Sequence, residues 1–327
     1  MDAGINGFGR FGLHILKYWV DRNHEAGFTI QYINDENLSI QQAFEIIIHD
    51  EAVIFNKYKV KISKNSLILL EPNGAVHEIQ YTNFAKEKIP WLGKPVLMFE
   101  CSGKNTERED CTIYLQGNTQ RVIISATSWD AEKTLIYGFN HEEFQPSQRV
   151  ISYGSCTVNA YVPLANYIHQ KYGVMDSDVN VIHNIQEYRI KDNYTLIRKF
   201  CTLEKSGPYL LKFFDGNNLI VNYTVVPYTG VSMIDFRFRL TKTVDIKELI
   251  EDLENAFTLG ELKHLYSFNE VDVGPEIHSC TTYSSVFIKD KIRMLKDNLY
   301  LYGYFDNENS VNRYFDLVQY ISTHENH

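Results

Sequence analysis

Ile5-Asn6-Gly7-Phe8-Gly9-Arg10-Phe11-Gly12 follows a short β-prone run and leads into Leu13 to Val20, which reads as a helix. The pattern is GxGxxG between a strand and a helix. Gly7, Gly9 and Gly12 permit a tight turn, close backbone approach to a pyrophosphate, and close packing of helix on strand, while the helix N-terminus attracts the anion. Asp35, in Tyr32-Ile33-Asn34-Asp35, stands 23 residues beyond Gly12 at the end of the next predicted strand. An acid there can bind ribose hydroxyls, and Asp35 with Glu36 would repel a 2′-phosphate, so the pattern predicts NAD rather than NADP.

Outward from this stretch the alternation continues. Thr29 to Ile33, Val60 to Ile62, Leu67 to Leu70, Pro95 to Glu100 and Arg121 to Ser125 read as strands, and Gln41 to Ile48 and Thr106 to Leu115 as helices. This predicts an α/β class, a doubly wound parallel sheet over residues 1–155. Beyond it the texture changes. A helix over Thr157 to Tyr172 precedes strand-like Val179 to Tyr188, Leu219 to Val226, Val231 to Thr243 and Thr281 to Ile288. Residues 156–309 therefore read as an α+β domain with a mostly antiparallel sheet. Val244 to Phe257, opened by Thr243, is an amphipathic helix, and Asn312 to Ser322 a terminal one.

Composition agrees with two globular domains, since 327 residues at about 150 per domain gives two. With 44% hydrophobic and 22% charged residues, and glycine and proline spread without runs, disordered and collagen-like classes are excluded. The net charge of −9 gives no attraction to a phosphate backbone or an anionic membrane, so neither nucleic acid nor membrane is an expected partner. Five cysteines form no CxxC pair and no short His/Cys spacing, which predicts free thiols, a reducing cytoplasmic compartment and no metal.

Ser155-Cys156-Thr157-Val158-Asn159 opens the helix beyond residue 155. A cysteine at a helix N-terminus gains from the partial positive charge there, which favours the thiolate, so Cys156 is a candidate nucleophile. His183 lies 27 residues on, one strand after that helix. An imidazole there could hold the thiolate as an ion pair and later donate to a developing oxyanion. A buried structural cysteine and a structural histidine fit the same spacing.

Taken with Glu100-Cys101-Ser102-Gly103, Arg121 to Ala126, Asn140-His141-Glu142, Val226-Pro227, His278-Ser279 and Asp306-Asn307-Glu308, these segments resemble the glyceraldehyde-3-phosphate dehydrogenase family, in the same order along nearly the whole chain. The resemblance implies a Rossmann domain, a catalytic domain, a C-terminal helix over 310–327 returning to the first, and a homo-oligomer, tetramer or dimer. It implies that the backbone of Arg10 and Phe11 meets the pyrophosphate, that Asp35 binds ribose, and that Ser102, Ser125 and Asn307 belong to the cofactor site. It further implies Cys156 as nucleophile, His183 as its partner, and Ser155 and Thr157 at the site of an attacking inorganic phosphate. Ser206-Gly207 stands for a Thr-Gly pair of that site.

The departures concern phosphate recognition. An arginine expected before Val226-Pro227 is Val225, and a threonine expected three residues after His183 is Gln186. Because the stretch to Ser206 is short, Arg198, with Lys199 behind it, is the expected substitute, and a solvated surface pair is the alternative. Three readings follow: a phosphorylating NAD-dependent aldehyde dehydrogenase, a related enzyme for another phosphorylated or acidic aldehyde such as erythrose 4-phosphate, and a non-catalytic NAD-binding paralogue.

Overall fold

The structure, a computed structural model, describes residues 1–22, 24–49, 58–185 and 195–324. The chain divides into two compact units, Met1–Gly154 with Tyr314–His327, and Ser155–Arg313. Ser155 and residues 310–313 thus fall with the second unit.

The first unit is built on β1 (Asp2–Asn6), whose residues from Ala3 on are buried on both faces, as an apolar central strand of a parallel sheet must be. It pairs in parallel with β2 (Thr29–Asn34) on one side and with β6 (Leu97–Glu100) on the other. Helices α1 (Arg10–Arg22) and α2 (Ile40–His49) follow β1 and β2. The sheet order is β3-β4-β5-β2-β1-β6-β7-β9-β8, with β3 (Lys59–Ser63), β4 (Ser66–Leu70), β5 (Val76–Thr82), β7 (Arg121–Ile124), β8 (Lys133–Thr134) and β9 (Val150–Ser152). Strand order reverses at β1, which opens a crevice at the carboxyl ends of β1 and its neighbours.

Two sequence expectations change here. The polar alternation His77, Glu78, Gln80 hid β5, which a turn at Gly74 (φ +91°) folds back on β4. The helix expected over Thr106 to Leu115 is only one turn, α3 (Arg108–Cys111), followed by a 3₁₀ turn over Thr112–Tyr114. There the Thr112 hydroxyl donates to the Glu109 carbonyl, which competes with helix continuation.

The second unit holds α4 (Cys156–Tyr172) and a sheet of order β11-β12-β10-β13-β17-β15-β14. Its strands are β10 (Val174–His183), β11 (Ile197–Arg198), β12 (Leu219–Val225), β13 (Ser232–Leu240), β14 (Tyr266–Asn269), β15 (Ser285–Ile288), β16 (Arg293–Leu295) and β17 (Asn298–Phe305), with β16 attached to β17. β10–β12 and β14–β15 are parallel and the other pairings antiparallel. α4 packs its Tyr161 ring against Phe236 and Phe238 of β13.

β10 ends on His183, so the strand predicted to reach Tyr188 stops earlier within the described residues. α5 (Leu203–Leu210), unforeseen in the sequence, precedes β12. α6 (Ile246–Thr258) is capped by Asp245, whose carboxylate accepts from the Lys247 and Glu248 N–H groups, and not by Thr243. α7 (Asn307–His324) begins in the second unit; from Tyr314 it belongs to the first, where the Tyr314 hydroxyl donates to the Ile123 carbonyl and Ser322 to that of Ala26.

Candidate active site

In the first unit the glycine turn starts where β1 ends. Gly7 has φ +92°, and a Cβ there would collide with the Ser102 backbone; a Cβ on Gly12 would collide with the Gly7 carbonyl. Gly9 differs: it is exposed, and nothing lies within 4 Å of where its Cβ would be. Two glycines are therefore required by packing and the third leaves an open cradle at the start of α1, where first-turn N–H groups have no helical acceptor. A dinucleotide pyrophosphate fits that cradle.

Asp35, just after β2, accepts hydrogen bonds from the Phe8 N–H (2.6 Å) and from the Asn37 and Leu38 N–H groups (both 2.8 Å). It therefore holds the glycine turn, and carboxylate oxygens with two lone pairs each retain capacity for further donors such as ribose hydroxyls. Glu36 is paired with Lys104 at 3.2 Å, which weakens the repulsion of a 2′-phosphate expected from the two acids.

Ser102 donates through both N–H and hydroxyl to the Glu100 carboxylate, and the Ser125 N–H bonds the Glu100 carbonyl. Glu100 is buried and also accepts from Asn6, Tyr114 and Asn105. This network, invisible in sequence, fixes the loops that follow β1, β6 and β7. Phe11 packs edge-on against Tyr153 and Tyr314 in the same unit, and the Arg10 carbonyl contacts His14 Nδ1 at 2.7 Å.

The second unit assembles the reactive cysteine. Ser155, in extended backbone, caps α4 by accepting from the Val158 N–H, which leaves Cys156 as the first helical residue. Its sulfur lies 3.7 Å from His183 Nε2. His183 Nδ1 is 2.7 Å from the Asn184 carbonyl, which can only accept, so Nδ1 carries a proton and Nε2 faces the sulfur. Asn184 is in turn held by the Ser232 hydroxyl and the Gly230 carbonyl.

One expectation is reversed in sign. Burial pushes the Cys156 thiol up to about 12, against the lowering effect of the Thr157 hydroxyl and N–H, with Cys201 and Asp306 adding to the rise. Burial thus opposes the thiolate that the helix N-terminus favours, and His183 Nε2 is the neighbouring group placed to take the proton.

Among the residues expected to bind phosphate, Ser155 and Thr157 flank Cys156, and the Ser155 hydroxyl shares a 2.9 Å hydrogen bond with the Thr202 hydroxyl. Thr202, which the sequence reading did not single out, is the hydroxyl bonded to Ser155 beside Cys156. Ser206 is buried one turn into α5, and Gly207 packs so close to Leu219 that a Cβ would collide with it. Sequence reasoning missed Thr202; its position just before the apolar residue that opens α5 was the available signal.

Arg198 is also corrected. It stands opposite Thr224 and donates to Asn222 Oδ1 at 2.7 Å, whereas Val225 pairs with Ile197 and with His183. Side chains alternate along a strand, so Arg198 projects from the face opposite to Val225 and cannot fill the space beside it. Gln186 lies outside the described residues. Asn307 opens α7, its N–H bonded to Asp306 Oδ1 at 2.7 Å. Among the described residues no cluster of three or more His, Cys, Asp or Glu side chains could hold a metal ion, and no helix is long and apolar enough to cross a membrane.

No protein-family model matches the chain. Curated relatives do, along nearly its full length. A glyceraldehyde-3-phosphate dehydrogenase of Echinococcus multilocularis is 26% identical, and glyceraldehyde-3-phosphate dehydrogenase 4 of Caenorhabditis elegans and glyceraldehyde-3-phosphate dehydrogenase B of Aspergillus oryzae are each 27% identical, with 98% of this chain and 98% of each relative covered. The chain is thus similar along nearly its whole length to glyceraldehyde-3-phosphate dehydrogenases. That similarity agrees with the mostly parallel sheet of the first unit and the mostly antiparallel sheet of the second. The cysteine, histidine and hydroxyl cluster described above lies in the second.

Proposed function

We propose that the protein is an NAD-dependent phosphorylating aldehyde dehydrogenase that works through a thioester on Cys156. The observation carrying this reading is the 3.7 Å approach of Cys156 Sγ to His183 Nε2, with the Nδ1 proton anchored on the Asn184 carbonyl. The Cys156 proton passes to Nε2, the thiolate adds to the aldehyde carbon, and the Nε2–H and the Cys156 backbone N–H stabilise the oxyanion. The Gly9 cradle and Asp35 would hold NAD, which when bound would supply the acceptor for the hydride lost from the aldehyde carbon. Inorganic phosphate, bound by the Ser155, Thr157 and Thr202 hydroxyls, then attacks the thioester carbonyl. The acyl phosphate leaves and the thiol is restored.

Val225 favours a second reading on one point, the identity of the aldehyde. An apolar side chain beside His183 offers a substrate phosphate no charge, so another aldehyde fits that position as well as glyceraldehyde 3-phosphate does. A non-catalytic role requires neither the Cys156–His183 contact nor the anchored tautomer. The family resemblance further suggests self-association, which sedimentation measures. The deciding experiment is NADH formation by the purified protein across a panel of aldehydes, with and without inorganic phosphate. Turnover that needs both an aldehyde and phosphate supports the proposal. Turnover indifferent to phosphate indicates hydrolysis, and no turnover with any aldehyde overturns it.

A further inference from the structure

His183 is held by more than the Asn184 carbonyl, because two aromatic rings from other strands also contact its imidazole. The Tyr223 ring of β12 lies 5.5 Å away, centroid to centroid, at an interplanar angle of 47°. The Phe305 ring of β17 stands nearly perpendicular to it at 5.6 Å. Strand geometry accounts for the first contact. β12 runs parallel to β10, with Tyr223 opposite Val181 and Val225 opposite His183. Residues two apart on a strand share a face, so Tyr223 and Val225 both line the side on which His183 reaches Cys156.

Burial holds the Tyr223 hydroxyl above the usual phenol range, and negative charge on Cys156 or Cys201 adds to the rise. The phenol therefore stays neutral and is not the base that takes the thiol proton. What it offers the imidazole is an uncharged π-system, which attracts a cation within about 6 Å of its centre. Proton transfer makes that cation. The proton leaves Cys156 Sγ for His183 Nε2, while Nδ1 keeps its own on the Asn184 carbonyl. In the neutral pair there is no charge for the ring to attract.

We propose that Tyr223 is a positioning residue, its ring holding the His183 imidazole toward Cys156 and favouring the imidazolium–thiolate pair over the neutral one. This rests on the Cys156–His183 pairing of the proposed reaction. The other titratable groups acting on Cys156 are Cys201, ahead of α5, and Asp306, after β17. Both raise the thiol, and substitution at Tyr223 leaves both in place.

The test is the pH dependence of Cys156 alkylation by iodoacetamide, mapped by mass, which needs neither cofactor nor substrate. In Tyr223→Leu the rate at pH 7 should fall at least about threefold, the loss of one cation–π contact. The deficit should shrink as the pH rises to 10, where hydroxide removes the thiol proton and no imidazolium is needed. Damage to the fold or altered access would change the rate by the same factor at every pH. Tyr223→Phe keeps the ring and should restore the parent profile. If Tyr223→Leu folds poorly, pentafluorophenylalanine at position 223 keeps the ring's shape, reverses the charge on its face, and should give the same fall at pH 7. His183→Ala separates the two readings. Slow alkylation in His183→Ala with a fall of less than threefold in Tyr223→Leu overturns the role of Tyr223 alone, and parent-like rates in both variants overturn the pair as well. A deficit that is equal at every pH, or that Tyr223→Phe shares, also overturns the proposal.

Discussion

Val225 is the register partner of His183 in the parallel pairing of β12 with β10, so an apolar side chain shares the face on which the imidazole meets Cys156. Placing a charge there should change substrate preference. Val225→Arg is expected to lower KM for glyceraldehyde 3-phosphate roughly tenfold or more, the equivalent of one charge-assisted hydrogen bond of about 1.5–3 kcal/mol. Arg198→Ala, on the opposite face, should leave that KM within twofold. Steady-state kinetics of the two variants check both halves, and a KM raised by Arg198→Ala would contradict the strand parity.

Thr202, bonded to Ser155, is expected to serve inorganic phosphate, and Ser206 to serve only packing. Thr202→Val should raise KM for phosphate about two- to tenfold, from the loss of one hydroxyl worth roughly 0.5–1.5 kcal/mol. The burst of NADH formed before phosphate attack should keep its amplitude. Ser206→Ala should leave phosphate KM within twofold. The opposite ranking would return the phosphate site to Ser206.

Burial holds the Cys156 thiol at about 12, which keeps it protonated at neutral pH unless His183 accepts the proton. In His183→Ala, alkylation of Cys156 at pH 7 should slow by roughly a hundredfold or more and should then rise about tenfold per pH unit up to pH 10. The parent rate should vary little over the same range, because its thiolate comes from the ion pair. Equal rates at pH 7 would show that another group activates the sulfur. Mass mapping after limited iodoacetamide treatment should find Cys156 modified ahead of Cys101, Cys111, Cys201 and Cys280.

Gly7 and Gly9 should separate folding from binding. Gly7→Ala places a side chain at φ +92° against the Ser102 backbone and is expected to cost more than about 2 kcal/mol of stability. Gly9→Ala projects into open space, so its melting temperature should match the parent while NAD affinity falls at least tenfold. Calorimetry and thermal melts measure the two. A Gly9→Ala protein that binds NAD like the parent would place the pyrophosphate elsewhere.

Much of the first unit was legible in sequence, because β1, α1 and β2 are local: the glycine spacing, an apolar strand before it and an acid after the next strand each act over a few residues. β5 was not, since its alternating polar residues become a strand only when β4 folds back on it and β2 accepts its other edge. Glu100 gave no signal because its partners Asn6, Asn105 and Tyr114 converge on it from separate segments.

The sequence by itself determined which residue types were present for the chemistry: the GxGxxG turn, Asp35, a cysteine opening a helix, and a histidine at the end of the next strand. Helix capping, strand alternation and turn chemistry are short-range, so residue order suffices for them. Tertiary structure decided which groups meet. The contact of Cys156 with His183, the bond of Ser155 to Thr202, and the face from which Arg198 projects all depend on how α4, α5, β10, β11 and β12 register against one another. A shift of one residue in any of those pairings would turn each side chain to the other face, and that register is set by long-range packing, which no local pattern encodes.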